Sequence, residues 1–134
     1  MKIGKYEIKH PIIQGGMGVG ISWDQLSGTV SKEGGLGVIS SVGTGYYKNK
    51  SENVNVVLKK DKPKDVMNFY SRESFFEIVE NARKICGDAP LACNILQACN
   101  DYGRIVKDAC EAGINIIITG AGLPINMPKF TKDF

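Results

Sequence analysis

The sequence predicts an α/β protein built on a parallel sheet, and two observations carry that prediction. Short, continuously apolar runs recur at residues 11–13, 36–40, 91–95 and 115–119. Between them lie longer stretches whose apolar residues repeat at helical spacing. Strands covered on both faces read as unbroken apolar runs, and helices alternate with them when each crossover lies against the sheet.

Residues 2–9 open the chain, with Ile3, Tyr6 and Ile8 set around a Gly4-Lys5 turn, which reads as a short hairpin or plug. Pro11, Ile12 and Ile13 then predict a buried first strand ending at Gln14. Four glycines follow within six residues, Gly15, Gly16, Gly18 and Gly20, interrupted only by Met17 and Val19. Without Cβ atoms, such a loop lets a ligand approach its peptide groups. Ser22 is expected to cap a helix from Trp23 to about Glu33, with Trp23, Leu26 and Val30 on one face and Gly34 as its stop. The second strand, LGVIS, comes next.

From Val42 to Tyr70 no period is sustained. A structureless loop of that length is uncommon in a compact domain, so residues 54–58 suggest an accessory strand and 64–69 a helical turn. Ser74 and Glu77 fit a capping box ahead of Phe75, Val79, Ala82 and Cys86, and Gly87 ends that helix. The third strand, LACNI, carries Asn94 near its C-terminal end. Tyr102, Ile105, Val106, Ala109 and Cys110 mark a helix over about 101–112, stopped by Gly113. The fourth strand, NIIIT, opens into Gly120-Ala121-Gly122-Leu123-Pro124.

Composition narrows the function. At 134 residues the chain is a single domain's worth of sequence, 43% hydrophobic and 23% charged. Its net charge of +3 comes from 17 basic and 14 acidic side chains without clustering, which excludes a nucleic-acid surface. Four cysteines, Cys86, Cys93, Cys99 and Cys110, form no CxxC pair, and His10 is the only histidine, so no metal site is expected. Reduced, mostly buried thiols in a cytoplasmic protein are the plainer reading. No segment has the length and apolarity of a signal peptide or a membrane span.

Parallel βα units send every loop that follows a strand to one rim, where ligands bind. Gly15 to Gly20, Ser41 to Gly45, Asn94 and Gly120 to Gly122 all sort onto that rim. Gly34, Gly35, Gly87 and Gly113 fall on the other and are explained as helix stops. A dinucleotide fingerprint fails, because Ile21 stands where its third glycine belongs and the second strand ends in Ser40-Ser41 rather than an acidic residue. No strand is followed by the Gly-Lys-Ser/Thr of a P-loop.

Together, PIIQGGMGVGIS, SKEGGLGVISS, ACNIL and ITGAGLP, in this order and at these separations, resemble the N-terminal part of the nitronate monooxygenase family, formerly the 2-nitropropane dioxygenases. The resemblance covers nearly all of the chain except about residues 46–70. It implies an FMN-binding TIM (β/α)8 barrel of which this chain is the N-terminal half, with about four parallel strands, and a fold shared with flavin-containing enoyl-ACP reductases. It places Gly15, Gly16, Met17 and Gly18 against the flavin ring, matches Asn94 to a flavin-binding amide, and leaves room at Gly120 for flavin or substrate. Alternatives stand beside these roles. Met17 also suits a core filler, Asn94 a satisfied strand-end amide, and Gln14 either touches ligand or orients the glycine loop.

A complete barrel of this kind has eight strands in about 250 residues. By the same resemblance the FMN phosphate site and the catalytic histidine, a general base, belong to later βα units. His10 precedes the first strand, on the wrong rim. No catalytic residue is therefore expected among residues 1–134. The chain reads as the flavin-ring half of an FMN-dependent oxidoreductase that acts on alkyl nitronates with O2, a partial domain truncated before a fourth covering helix and inactive alone. An enoyl-ACP reductase and a non-catalytic, self-associating half-barrel are the alternatives. Self-association is expected from open sheet edges.

Overall fold

A computed structural model describes residues 1–49 and 63–134. Its centre is a parallel sheet of β3 (Gly37–Ser40), β4 (Leu91–Leu96) and β5 (Ile116–Gly120), in that order. A hairpin of β1 (Lys2–Ile3) and β2 (Tyr6–Glu7) precedes it, pairing Ile3 with Tyr6 around the Gly4-Lys5 turn.

The expected first strand is cut back to one parallel bridge between Ile13 and Leu36. Leu36 N–H donates to the Ile12 carbonyl at 2.9 Å, and Gln14 N–H to the Leu36 carbonyl at 3.0 Å. This strand is not buried either, since Ile12 is 62% and Ile13 49% exposed. Four neighbouring parallel positions result, in chain order.

The side chains of the sheet divide with period two. Leu36, Val38 and Ala92 are buried on the inner face, with Ile116 and Ile118 beside them. Ile8 and Ile3 pack on that same face and plug its N-terminal end. Ile39, Leu91, Cys93 and Ile95 point outward into the larger core under the helices.

Helix α1 (Asp24–Lys32) lies on β3, and α3 (Arg72–Cys86) packs beside it. The buried face of α1 is Asp24, Ser27, Gly28 and Ser31, while Leu26 is exposed. The expected Trp23, Leu26 and Val30 face is therefore wrong for Leu26. Small side chains win because the backbones come close: a Cβ on Gly28 would meet the Ala82 carbonyl at 3.0 Å.

Helix α3 begins one turn earlier than the Ser74 box predicts. Ser71 is its cap, accepting from Ser74 N–H at 3.3 Å, and Gly87 ends it at φ 58°. A short helix α2 (Pro63–Asn68) matches the helical turn expected at 64–69. The accessory strand read at residues 54–58 lies outside the described residues. Helix α4 (Tyr102–Glu111) is as expected. After β5, where no further helix was expected, a short α5 (Met127–Thr131) sets Phe130 against Gly103 and the Tyr102 ring.

One partly buried group, Tyr70, and one buried group, Cys93, make the fold sensitive to alkali. Tyr70 OH donates to Asp108 at 2.9 Å, beside Arg72, whose Nε also donates to Asp108 at 2.9 Å. Burial first, and then the Asp108 charge, push the Tyr70 phenol well above its ordinary 10.0. Burial alone pushes the Cys93 thiol well above 9.0. Because both folded-state values are raised, the stability these groups contribute is present below their unfolded values and lost as pH rises past them. Denaturant midpoints should hold to about pH 9 and then fall, each group contributing up to about 1.4 kcal/mol per pH unit. Cys93→Ala and Tyr70→Phe should each flatten that fall, and an unchanged slope in both would refute the assignment.

Candidate functional site

Ser40, Asn94 and Ile118 stand in register across the sheet, one inward-facing step above Val38, Ala92 and Ile116. This is the C-terminal rim. Asn94 occupies its middle, with Nδ2 donating to the Ile118 carbonyl at 3.4 Å. Its Oδ1 has no donor among the described residues.

The glycine loop comes down on Asn94. A Cβ on Gly16 would stand 2.6 Å from Asn94 Cβ, and one on Gly120 would stand 3.9 Å from its Nδ2. Gly18 faces Val42, where a Cβ would come within 3.0 Å. Val42 belongs to the same rim, because Ser41 N–H donates to the Asn94 carbonyl at 3.1 Å and Val19 N–H to the Val42 carbonyl at 3.1 Å. Gly16, Gly18, Asn94 and Gly120 are thus gathered at one end of the sheet. Gly15 meets nothing within 4 Å. Met17 is 59% exposed on the loop, which removes the core-filler alternative.

Ser22 does not cap α1. The residue before that helix is Trp23, which makes no side-chain capping bond. The Ser22 hydroxyl, fully buried, donates to the Gly15 carbonyl at 3.0 Å and accepts from Met17 N–H at 2.9 Å and Gln14 Nε2 at 2.8 Å. One hydroxyl has one donor and two acceptor sites, and here all are used on the loop. Gln14 serves the same purpose. Besides Ser22, its amide reaches the Gly15 carbonyl at 3.1 Å, and both the carbonyl and the N–H of Val38 at 3.2 Å.

Knotted in this way, the loop leaves donors over. The N–H groups of Gly16 and Gly18 have no acceptor among the described residues. Two more polar atoms at the rim, Ser41 Oγ and Gln97 Oε1, are buried without a partner there. No charged residue occurs in 14–22, 40–46, 94–100 or 120–126. An uncharged rim of peptide N–H groups and amides suits a flat, polar, neutral ring edge better than a polyanion. The bare glycine backbone over Asn94 leaves room for a flavin ring, which the Gly16 and Gly18 N–H groups and the Asn94 amide could meet.

Ser22 and Gln97 are the site residues that sequence reasoning passed over. Gln97 N–H donates to the Gly120 carbonyl at 2.8 Å and ties the β4 and β5 loops together. Its only signal was its place just after a strand that carries Asn94. His10 is on the opposite rim, its N–H donating to the carbonyl of Gly34 at 2.8 Å. A cavity of about 370 Å3 lined by Tyr6, Cys110, Ile117, Met127 and Phe134 lies on the β5 flank, away from the glycine rim. Among the described residues no cluster of metal-ligating side chains occurs, and no helix is long and apolar enough to cross a membrane.

The nitronate monooxygenase family model matches residues 1–134. FabK from Thermotoga maritima is a similar solved structure, with TM-score 0.62 and 22% identity over 94% of this chain and 30% of that one. A point mutant of the same FabK gives TM-score 0.65 and 22% identity, covering 94% of this chain and 33% of that one. The chain thus spans about a third of the length of the structures it matches. No curated protein matches it.

Proposed function

Since the chain belongs to the nitronate monooxygenase family, we propose that it forms the flavin-ring seat of an FMN-dependent oxidoreductase that oxidises alkyl nitronates with O2. The observation that carries this is the meeting of Gly16, Asn94 and Gly120 at a loop with two peptide N–H groups that have no acceptor among the described residues. When bound, FMN supplies the redox chemistry that no protein side chain provides.

This chain's residues bind and orient. Gly16 and Gly18 would donate to the polar edge of the ring, Asn94 would meet it as donor and acceptor, and exposed Met17 would offer a soft apolar cover. Proton abstraction from a nitroalkane needs a base, and the rim segments 14–22, 40–46, 94–100 and 120–126 hold no His, Asp, Glu or Lys. The full chain is accordingly expected to take up FMN weakly, on the order of micromolar or above, and to give no turnover.

Two assays test this. Titration with FMN should quench flavin fluorescence and shift the flavin absorption bands. Oxygen uptake with an alkyl nitronate should stay at background, as should NADH oxidation with an enoyl thioester. Absence of any flavin uptake would sink the flavin reading. Nitronate oxidation by this chain alone would overturn the expectation of no turnover, and oxidation of the neutral nitroalkane would overturn the assignment of the base to other βα units.

A further inference from the structure

The parallel ladder between the Ile13 segment and β3 stops one step short, and the geometry points to Gln14 as the residue that stops it. We infer that its side-chain amide takes the place of a peptide group in the sheet and so holds the glycine loop open for the ring, a positioning role that rests on the flavin reading above. In a continuing ladder, Val38 N–H would donate to the main-chain carbonyl of residue 14, and the Val38 carbonyl would accept from the N–H of residue 16. Here both bonds go to the Gln14 side chain instead: Val38 N–H to Oε1 and Nε2 to the Val38 carbonyl, each 3.2 Å.

The substitution has a direct consequence for the loop. Freed from Val38, the main chain of residues 14–16 turns inward, Gly16 settles on Asn94, and the Gly16 N–H is left for a ligand. A primary amide is the one uncharged side-chain group that offers a carbonyl and an N–H in the geometry of a peptide. Asn is one methylene shorter, Glu lacks the donor, and Met lacks both. Ser22 locks the result by bonding Gln14 Nε2, the Gly15 carbonyl and the Met17 N–H at once.

The test uses the full chain, wild type against Gln14→Met and Gln14→Glu. FMN affinity is read by fluorescence quenching, and exchange of the Val38 amide proton by NMR without flavin. Gln14→Met should lose FMN affinity tenfold or more and change the exchange rate at Val38. In Gln14→Glu an ionised carboxylate would face the carbonyls of Val38 and Gly15. It should bind FMN weakly at about pH 8 and regain affinity at about pH 5, as the carboxyl gains a proton to donate. Lost packing alone would give no such recovery relative to wild type. Should Gln14→Met fail to fold, the Gln14→Glu pH comparison decides. Wild-type affinity in Gln14→Met, or a pH-independent loss in Gln14→Glu, overturns the role of Gln14. Failure of the wild type itself to take up FMN instead overturns the flavin reading, and this role with it.

Discussion

Gly37→Ala is expected to abolish cooperative folding. A Cβ at this position would lie 1.9 Å from the carbonyl oxygen of Ser27 and 2.7 Å from both the Ser27 carbonyl carbon and Ser31 Oγ. Two of these atoms are main chain in the middle of α1, so no rotamer change relieves the clash. Either α1 lifts away from β3 or β3 leaves the sheet. Lifting α1 breaks the bond from Gly37 N–H to Ser31 Oγ at 3.0 Å and that from Ser31 Oγ to the Pro90 carbonyl at 2.7 Å. It also opens the packing of Trp23 against Tyr47. Overpacking a core commonly costs about 1–3 kcal/mol where side chains can adjust, and a main-chain collision costs more. Against a typical total of about 5–15 kcal/mol, that is enough to remove the native population of a small domain. Circular dichroism should show a broad, non-sigmoidal melt. Gly15→Ala, which meets nothing within 4 Å, should melt like the wild type. A normal transition for Gly37→Ala would mean that α1 does not rest on β3.

Where the chain was legible, the cause was amphipathy. Helices α3 and α4 bury the apolar residues their spacing marks, Phe75, Val79 and Ala82 in one and Tyr102, Ile105, Val106 and Ala109 in the other. Strands β4 and β5 are apolar except for Asn94 and Thr119 near their C-terminal ends, and sit in the sheet as such. Helix α1 was misjudged because its contact face is made of Ser27, Gly28 and Ser31, where close backbone approach replaces hydrophobic area. Hydrophobic spacing carries no signal for such a face. The small residues Ser27, Gly28 and Ser31, with Gly37 on the strand they meet, were its only trace. The first strand was overextended because nothing in Pro11-Ile12-Ile13-Gln14 says that a side chain will take over the ladder. At the candidate site, the grouping of Gly16, Gly18, Asn94 and Gly120 followed from parallel topology, which sends all post-strand loops to one rim. The knot at Ser22 did not, since a serine before a helix ordinarily reads as its cap.

That grouping makes Gly16→Ala the sharpest test of the site. The added methyl would fall 2.6 Å from Asn94 Cβ and 3.1 Å from its Cγ. Asn94 is anchored in the middle strand between Ser40 and Ile118, so the loop must rise instead. A lift of even a few tenths of an ångström moves the Gly16 and Gly18 donors together and presses Asn94 away from the Ile118 carbonyl. The loop is only half-buried at Gly16 and Gly18, so the cost to folding should stay near about 1 kcal/mol. Two charge-free hydrogen bonds to a ring, each contributing about 0.5–1.5 kcal/mol, would be weakened together. FMN affinity should therefore fall about tenfold to a hundredfold, while the melting temperature falls only by about 2–6 °C. His10→Ala, on the opposite rim, should retain affinity within about threefold. Equal affinities for the two variants would show that the ring does not sit over Asn94. A parallel collapse of affinity and stability in Gly16→Ala would instead show that the loop belongs to the fold before it belongs to the ligand.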